Sequence, residues 1–229
     1  MKLLRLSGHS GAGKTRLINA LPQYGITCPK VVRYTSRLPR KEEIDGEDYF
    51  FRSRDFIESL QEEDFLVGPV RNVLQAFDLK RLTVDLTTHD LVLIEIYPDL
   101  WPGLVRRIQQ RLNETLTSAS VFVTAVDPNA ILGMRDEKSK AAYISDQVKK
   151  NLIWRNKDSM SDIAIRATAA AREILEAIGP EGQASYQKII HSAPEGPDGE
   201  DEWTKSGFPS GKAKEALEEF IRFYQRLRK

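Results

Sequence analysis

A run of glycines and small residues near the N-terminus has the spacing of a phosphate-binding turn. It follows an apolar stretch and contains Gly8-His9-Ser10-Gly11-Ala12-Gly13-Lys14-Thr15. Successive backbone N–H groups in such a turn form a concave anion site, and the dipole of a following helix strengthens it. The lysine then reaches the β- and γ-phosphates of ATP, and the threonine hydroxyl binds Mg²⁺. The predicted ATP-binding residues are Gly8, Ser10, Gly11, Ala12, Gly13, Lys14 and Thr15, with Lys14 also catalytic and Thr15 the metal ligand.

Three arginines lie close together in the next polar segment. Arg33, Arg37 and Arg40 fall within eight residues, beside Pro39. Planar guanidinium groups suit a bidentate grip on phosphate oxygens. A solvated basic loop has the same composition. The residues alone therefore leave two interpretations, a second phosphate site or an exposed loop.

An acid ends the most apolar stretch of the chain. The run 91–96 predicts a buried strand, and Glu95 lies at its end. Open α/β sheets bind ligands at the carboxyl ends of their strands. Three roles fit Glu95: holding Mg²⁺ through water, orienting an acceptor, or pairing with a nearby arginine.

Apolar runs alternate along the chain with segments of helical periodicity. Ser53, Asp127 and Ser159 have the position of N-cap residues. This alternation predicts an α/β fold, a mainly parallel sheet flanked by helices, in one domain over 1–229. Strands are predicted over 2–6, 29–34, 91–96, 120–126 and 186–190, and helices over 14–21, 79–86, 101–112, 139–154, 159–178 and 213–228, with a short helix after Ser53.

The overall composition is that of an ordinary globular enzyme. The 229 residues carry a formal net charge of +1, so no global field favours nucleic acid or an anionic membrane. The single cysteine, Cys28, allows neither an intrachain disulfide nor a cysteine-based zinc site. No apolar run approaches the ~18 residues of a membrane span, and no signal peptide fits before the glycine-rich turn. We therefore expect a cytoplasmic protein without nucleic-acid or membrane partners.

The arginine-rich segment resembles the nucleotide-monophosphate-binding segment of the guanylate kinase family. That family's pattern is T-[TS]-R-x-P-R-x-x-E-x-x-G-x-D-Y-x-F. The resemblance implies a P-loop kinase fold, with an acceptor-binding insert over about 33–90. It also implies that Arg37, Arg40 and Tyr49 hold the phosphate of the acceptor. The matching residues are Thr35, Ser36, Arg37, Pro39, Arg40, Glu43, Gly46, Asp48, Tyr49 and Phe51.

A second segment resembles the lid of the same family. The residues Arg155-Asn156-Lys157-Asp158-Ser159, followed by Ile163 and Arg166, are similar to the family's R-G-T-D-S and I-x-x-R. The resemblance implies a helical lid over about 133–166, with Arg155 and Arg166 as catalytic arginines that neutralise charge on the transferring phosphoryl group. Lys157 is a further candidate. Beyond the lid, we expect a flexible loop over 191–211 and a C-terminal helix over 212–229.

The resemblance breaks at the positions that contact guanine in the family. Val67 stands in place of a glutamate, the segment 73–76 in place of Tyr-Tyr-Gly-[Ser/Thr], and Tyr97 in place of the second acid of D-x-D. Guanine offers N–H donors, and a buried donor without an acceptor costs about 1–3 kcal/mol. We therefore expect a phosphorylated acceptor other than GMP. A shifted register would restore Gln75 or Asp78 as a polar contact.

Arg33 stands where the family has a small hydroxyl residue that contacts the acceptor phosphate. Arg33 and Glu95 are therefore further acceptor-binding candidates, and Arg33 suggests a second phosphate or acidic group on the acceptor. The prediction is an ATP- and Mg²⁺-dependent kinase of a small phosphorylated acceptor such as a nucleoside monophosphate. Three alternatives remain: a guanylate kinase with a rebuilt base pocket, a sugar-phosphate kinase, or a non-catalytic binding module. Lys14 and Thr15 favour ATP use, and the oligomeric state is not predicted.

Overall fold

The computed structural model describes residues 1–40, 43–155, 157–192 and 209–228, except the side chain of Arg155. The chain forms two compact units. The first contains Met1–Arg5 and Cys28–Ala119, and the second contains Leu6–Thr27 and Ser120–Lys229. The chain passes from one unit to the other three times, within its first strand, after Thr27 and after Ala119.

A four-stranded sheet contains the predicted apolar strands. In spatial order these are β6 (Val92–Glu95), β1 (Lys2–Gly8), β7 (Thr117–Thr124) and β8 (Lys188–His191). β7 and β8 pair in parallel, with Val121 opposite Lys188. Leu3, Leu4 and Leu6 are fully buried, as expected for a strand that is covered on both faces.

A second sheet lies in the first unit. Its strands in spatial order are β3 (Phe50–Phe51), β2 (Tyr34–Thr35), β5 (Val73–Asp78) and β4 (Phe65–Val70). β2 pairs with β3 in parallel, whereas β5 is antiparallel to both β2 and β4. The turn between β4 and β5 has Arg71 at a positive φ of 58°. This hairpin was not predicted, because Gly68 and Pro69 interrupt the alternation of a strand.

The first unit contains a group of α-helices. They are α2 (Arg54–Glu58), α3 (Leu79–Thr88) and α4 (Trp101–Leu112). The side chains of Ser53 and Asp78 accept backbone N–H groups at the starts of α2 and α3. Leu104 and Ile108 of α4 are fully buried in a core with Leu3, Phe77 and Ile94.

The second unit contains the remaining helices. They are α1 (Lys14–Ala20), α5 (Pro128–Leu132), α6 (Glu137–Arg155), α7 (Met160–Ile178), α8 (Pro180–Ser185) and α9 (Gly211–Arg228). Val148 and Leu152 of α6 share a core with Ile163 and Ala167 of α7. None of the helices among the described residues combines the length and apolarity needed to span a bilayer.

Most predicted elements are present, and the exceptions have physical causes. Helices 101–112 and 159–178 agree with α4 and α7, and the C-terminal helix begins at Gly211. The predicted strand 29–34 is wrong in extent, because only Tyr34 and Thr35 form a strand and Lys30 makes an isolated bridge to Leu93. Most of the predicted flexible loop, 193–208, lies outside the described residues.

Candidate active site

The glycine-rich segment forms the turn between β1 and α1. Gly8 has φ of 146°, and a Cβ at this position would collide with the main-chain oxygen of Val123 in β7. Gly13 has φ of 82° and caps the N-terminus of α1. Only glycine allows this combination of a close approach and a left-handed backbone. The segment 8–15, which we call the phosphate loop, therefore has the backbone form that its sequence predicts.

The two functional side chains of the phosphate loop lie in the first turn of α1. The Lys14 ammonium donates to the main-chain oxygens of Gly8, at 2.7 Å, and His9, at 2.9 Å. Thr15 is exposed beside it. A glycine cradle, a helix N-terminus, an ammonium group and an exposed hydroxyl together fit the phosphates of ATP and a Mg²⁺ ion. The residues Gly8, Ser10, Gly11, Ala12 and Gly13 complete this turn.

His9, for which no role was predicted, anchors the phosphate loop. Its ring is fully buried. Nε2 lies 3.0 Å from the backbone nitrogen of Ala125 and accepts its hydrogen, so Nδ1 carries the ring proton and donates to the oxygen of Ser10 at 2.8 Å. The loop is thereby held against the end of β7.

Arg166 of α7, a predicted catalytic residue, lies beside the phosphate loop. Its Nη1 donates to the hydroxyl of Ser10 at 3.0 Å, and its Nε lies 3.5 Å from a carboxylate oxygen of Asp158. The Asp158 side chain is only 1% exposed, so this ion pair is shielded from water. Asp158 belongs to the segment that resembles the family's lid, and no role was predicted for it.

Of the other residues in the predicted lid segment, Ser159 has a structural role. The side chain of Arg155, predicted to be catalytic, lies outside the described part of the chain, as does Asn156. Lys157 is exposed. Ser159 caps α7 by accepting from the backbone N–H of Asp162, and this cap fixes the start of the helix that carries Arg166.

In the first unit, Glu43 organises two of the predicted acceptor-binding arginines. The guanidinium of Arg37 donates twice to the Glu43 carboxylate, both at 2.6 Å. The backbone N–H of Arg40 donates to the same carboxylate at 2.7 Å, and Nη1 of Arg40 lies 3.6 Å from it. Burial alone would raise the pKa of Glu43, but the hydrogen bonds from Arg37 and Arg40 outweigh it and lower the pKa. Glu43 is therefore ionised at neutral pH.

The ring of Tyr49 contacts two guanidinium groups. The Cζ atoms of Arg33 and Arg37 lie 4.6 Å and 4.8 Å from the centre of its ring. These distances are those of cation–π contacts. We call Arg37, Arg40, Glu43 and Tyr49 the arginine clamp. Its net positive charge and its two guanidinium groups suit a phosphate group.

Arg33 is buried and has its own partners. Its Nη2 donates to the hydroxyl of Tyr49 at 2.6 Å, and its Nη1 donates to the main-chain oxygen of Glu95 at 2.8 Å. The carboxylate of Glu95 lies 3.6 Å from Nη2. Burial opposes the charge of Arg33, but Tyr49 and Glu95 outweigh it and raise its pKa, so Arg33 is cationic. The sequence allows three roles for Glu95, and one of them is present in the structure, the ion pair with an arginine, here Arg33.

The register of the second sheet decides which side chains lie on the face that borders the arginine clamp. Val67 pairs with Ala76, and Ala76 with Tyr34, on the face packed against Ile57 of α2. Gln75 pairs with Thr35 on the opposite face. The Thr35 hydroxyl accepts the backbone N–H of Arg37 at 3.4 Å, so this face borders the arginine clamp.

Gln75 is consequently the polar residue of β5 that faces the arginine clamp. It is 9% exposed, and no hydrogen bond within the described residues involves its side chain. Asp78, the other polar residue weighed from the sequence, instead caps α3 through the N–H of Arg81. Because no three His, Cys, Asp or Glu cluster within the described ranges, Thr15 is the metal-ligand candidate that remains.

Known proteins resemble this chain in sequence. The family model "Guanylate kinase" matches residues 1–68. The chain is 30% identical over 179 residues to a guanylate kinase of Nitrosospira multiformis, a match that covers 75% of this chain and 71% of that protein. It is 28% identical over 195 residues to a guanylate kinase of Protochlamydia amoebophila, with 82% and 87% covered. The family model ends inside β4, so the end of β4 and all of β5 lie beyond the matched segment.

A solved structure resembles the chain in fold. The guanylate kinase of Anaplasma phagocytophilum superposes with a TM-score of 0.52 at 17% identity, covering 98% of this chain and 84% of that one. The likeness confirms the predicted fold class, a mixed α/β fold with a mainly parallel sheet flanked by helices.

Proposed function

The chain belongs to the guanylate kinase family and is an ATP-dependent P-loop nucleotide kinase, and from this premise we propose that it phosphorylates a nucleoside monophosphate other than GMP. The arginine clamp, in which Glu43 orients two arginines beside Tyr49, is the observation that supports an acceptor with a phosphate group. Mg²⁺ as the metal and a cytoplasmic location belong to the same proposal.

The phosphate loop would bind the phosphates of ATP and neutralise charge as it develops. Backbone N–H groups of 8–15 bind the β-phosphate, and Lys14 leaves its two main-chain acceptors to contact the γ-phosphoryl group. Arg166 contributes a second positive charge, since Ser10 and Asp158 hold it at the loop. Mg²⁺, bound through Thr15, supplies further charge neutralisation.

The arginine clamp would hold the acceptor by its phosphate. Arg37, Arg40 and Tyr49 offer donors in a partly buried setting, where charge-assisted hydrogen bonds are strong. Glu43 fixes the two arginines before the acceptor arrives, which lowers the entropy lost on binding. Phosphoryl transfer needs little covalent help from a protein, so this positioning and the loop's charge neutralisation supply most of the catalysis.

The face that borders the arginine clamp offers one carboxamide instead of carboxylates. Val67 and Ala76 lie on the other face, against α2, and Tyr97 follows β6. Guanine presents adjacent N1–H and N2–H₂ donors, which pair with the two oxygens of a carboxylate, whereas the Gln75 carboxamide has one acceptor oxygen and a donor NH₂ group. Leaving the second donor unpaired costs about 1–3 kcal/mol, roughly tenfold to a hundredfold in affinity. This cost is our reason for proposing an acceptor other than GMP.

GMP is the second candidate acceptor, because the relatives are named guanylate kinases. A sugar phosphate would satisfy the arginine clamp without a base. A non-catalytic binding module is disfavoured, because the phosphate loop keeps Lys14 and Thr15 in place.

The deciding experiment measures ADP formation from Mg·ATP with a panel of acceptors. The panel contains the common ribo- and deoxyribonucleoside monophosphates and several sugar phosphates, and Lys14→Ala is the control for ATP use. Turnover with one monophosphate well above that with GMP supports the proposal. Fast turnover with GMP alone identifies the second candidate. ATP binding with no turnover dependent on Lys14 would contradict both.

A further inference from the structure

Arg33 connects two predicted acceptor residues through a buried network. Its guanidinium donates to the Tyr49 hydroxyl and to the main chain of Glu95, with the Glu95 carboxylate 3.6 Å away. We propose that Arg33 is a positioning residue that fixes the Tyr49 hydroxyl, so that its hydrogen is directed to the acceptor phosphate. The inference rests on the proposed function, in which Tyr49 contacts that phosphate.

The hydrogen bond between Arg33 and Tyr49 can have only one direction. A guanidinium has only donors, whereas a tyrosine hydroxyl has one hydrogen and two lone pairs. The Tyr49 oxygen therefore accepts from Arg33 at 2.6 Å. No hydrogen bond within the described residues takes the hydroxyl hydrogen, which stays available for a phosphate oxygen.

The ring of Tyr49 is also held in place by contacts with side chains. The two guanidinium groups that contact it belong to Arg33 and Arg37, and the Arg33 side chain is only 10% exposed. Cation–π contacts strengthen when water is excluded. The orientation of the hydroxyl is thus set before the acceptor binds, which is the preorganisation that a binding site requires.

The same contacts argue against a direct role for Arg33 in binding a second phosphate. Each terminal nitrogen already has a partner in the protein, the main-chain oxygen of Glu95 for Nη1 and the Tyr49 hydroxyl for Nη2. The side chain is only 10% exposed, and its Nε is buried with no partner among the described residues, so little of the guanidinium is open to a second phosphate. Arg33 therefore acts through Tyr49, and this distinction can be measured.

The test is a double-mutant cycle with Arg33→Ser and Tyr49→Phe in the full chain. Each single variant should raise the KM for the acceptor roughly tenfold, the range for a hydrogen bond to a charged group, and leave the KM for ATP within about twofold. The double variant should have the same KM for the acceptor as Tyr49→Phe alone, because Tyr49→Phe has already removed the hydroxyl through which Arg33 acts. Arg33→Lys, which keeps one donor and the charge, should restore part of the affinity.

Arg52→Ser is the matched control, since Arg52 lies beyond β3, pairs with Asp45 and takes no part in the arginine clamp. It should leave the acceptor KM unchanged. Additive effects of Arg33→Ser and Tyr49→Phe would overturn the inference and indicate direct contact. Equal losses for ATP and acceptor, or a loss in Arg52→Ser, would overturn it in favour of a merely structural role.

The inference and the proposed function can fail separately. If a monophosphate binds but is not phosphorylated, the proposed function is wrong. The same double-mutant cycle, measured as calorimetric dissociation constants for that monophosphate, then still tests the role of Arg33. A chain that binds no monophosphate of the panel overturns both.

Discussion

Glu43 determines the geometry of the arginine clamp, because one carboxylate accepts from both Arg37 and Arg40. Glu43→Gln keeps the shape but loses the charge and one acceptor oxygen. We expect the KM for the acceptor to rise about tenfold, with the KM for ATP unchanged. Steady-state kinetics with each substrate varied in turn measures this split. An unchanged acceptor KM would show that the arginines keep their positions without Glu43.

The pH dependence of the arginine clamp follows from the same contacts. The pKa of Glu43 is lowered in the folded protein, so its stabilising contribution is present above the pKa of the unfolded chain. It is lost only as the pH falls through the lowered folded value. Between pH 6 and pH 8, roughly, titration of Glu43 should therefore leave acceptor affinity unchanged.

Asp158 is predicted to act on catalysis through Arg166. Asp158→Asn removes the buried charge that faces Nε of Arg166, so the guanidinium should lose its fixed orientation at Ser10. We expect kcat to fall roughly tenfold to a hundredfold, with little change in either KM, because the arginine acts most strongly on the transferring group. Rapid-quench or coupled assays of ADP formation measure kcat directly.

The matched control for Asp158 is Asp146→Asn. Asp146 lies on α6 in an exposed pair with Lys150 at 2.9 Å, and such pairs contribute little. This variant should retain the wild-type kcat. Comparable losses in both variants would assign the effect to general disturbance of the second unit.

The candidate site residues could be identified from the sequence, but the contacts that hold them in place could not. The phosphate loop, Arg37, Arg40 and Tyr49 were recognisable because their roles require fixed spacing along the chain. The partners of Arg33 and His9 were not, since Glu95 and Ala125 are distant in sequence. No local pattern encodes a contact that only the tertiary fold creates.

At the scale of elements, the β4–β5 hairpin places Gln75 on the face that borders the arginine clamp. Gln75→Glu supplies two acceptor oxygens, which match the paired N–H donors of guanine. We expect kcat/KM for GMP to rise roughly tenfold relative to the other monophosphates. The acceptor panel, repeated with this variant, measures the ratio.

Gln61→Glu makes the same chemical change at an exposed position before β4 and should leave that ratio at its wild-type value. If Gln75→Glu also leaves the ratio unchanged, Gln75 does not contact the acceptor base.

The elements themselves were predictable where their signals are local. α4 and α7 combine helical periodicity with identifiable ends, and both were predicted within a residue. β2 is two residues long and exists because β3 and β5 flank it, so its own sequence carries little signal. The short helix α8 was not predicted. It begins at Pro180, directly after Gly179, and these two residues indicate only that α7 ends there.

At the scale of the whole molecule, the C-terminal segment is part of the folded second unit. Leu217, Phe220 and Tyr224 of α9 are buried. Lys212, in the first turn of the same helix, acts on His191 at the end of β8. Burial first, and the charge of Lys212 second, lower the pKa of His191, and Asp127 only partly opposes them.

This pKa shift predicts how stability depends on pH. Below the ordinary pKa of histidine, near 6.5, the unfolded chain binds a proton at this site more readily than the folded chain does. Folding stability therefore falls as the pH is lowered through that window. His191→Gln cannot take up the proton, so its free energy of unfolding should fall less steeply between about pH 7.5 and pH 5. Urea denaturation at a series of pH values gives both slopes.

His89→Gln is the control for this prediction, because His89 is exposed at the end of α3. It should follow the wild-type slope. A His191→Gln slope equal to that of the wild type would mean that the site at the end of β8 is not linked to folding. A flatter slope would show that β8 and the start of α9 surround His191 in solution, so that the C-terminal segment contributes to the stability of the enzyme.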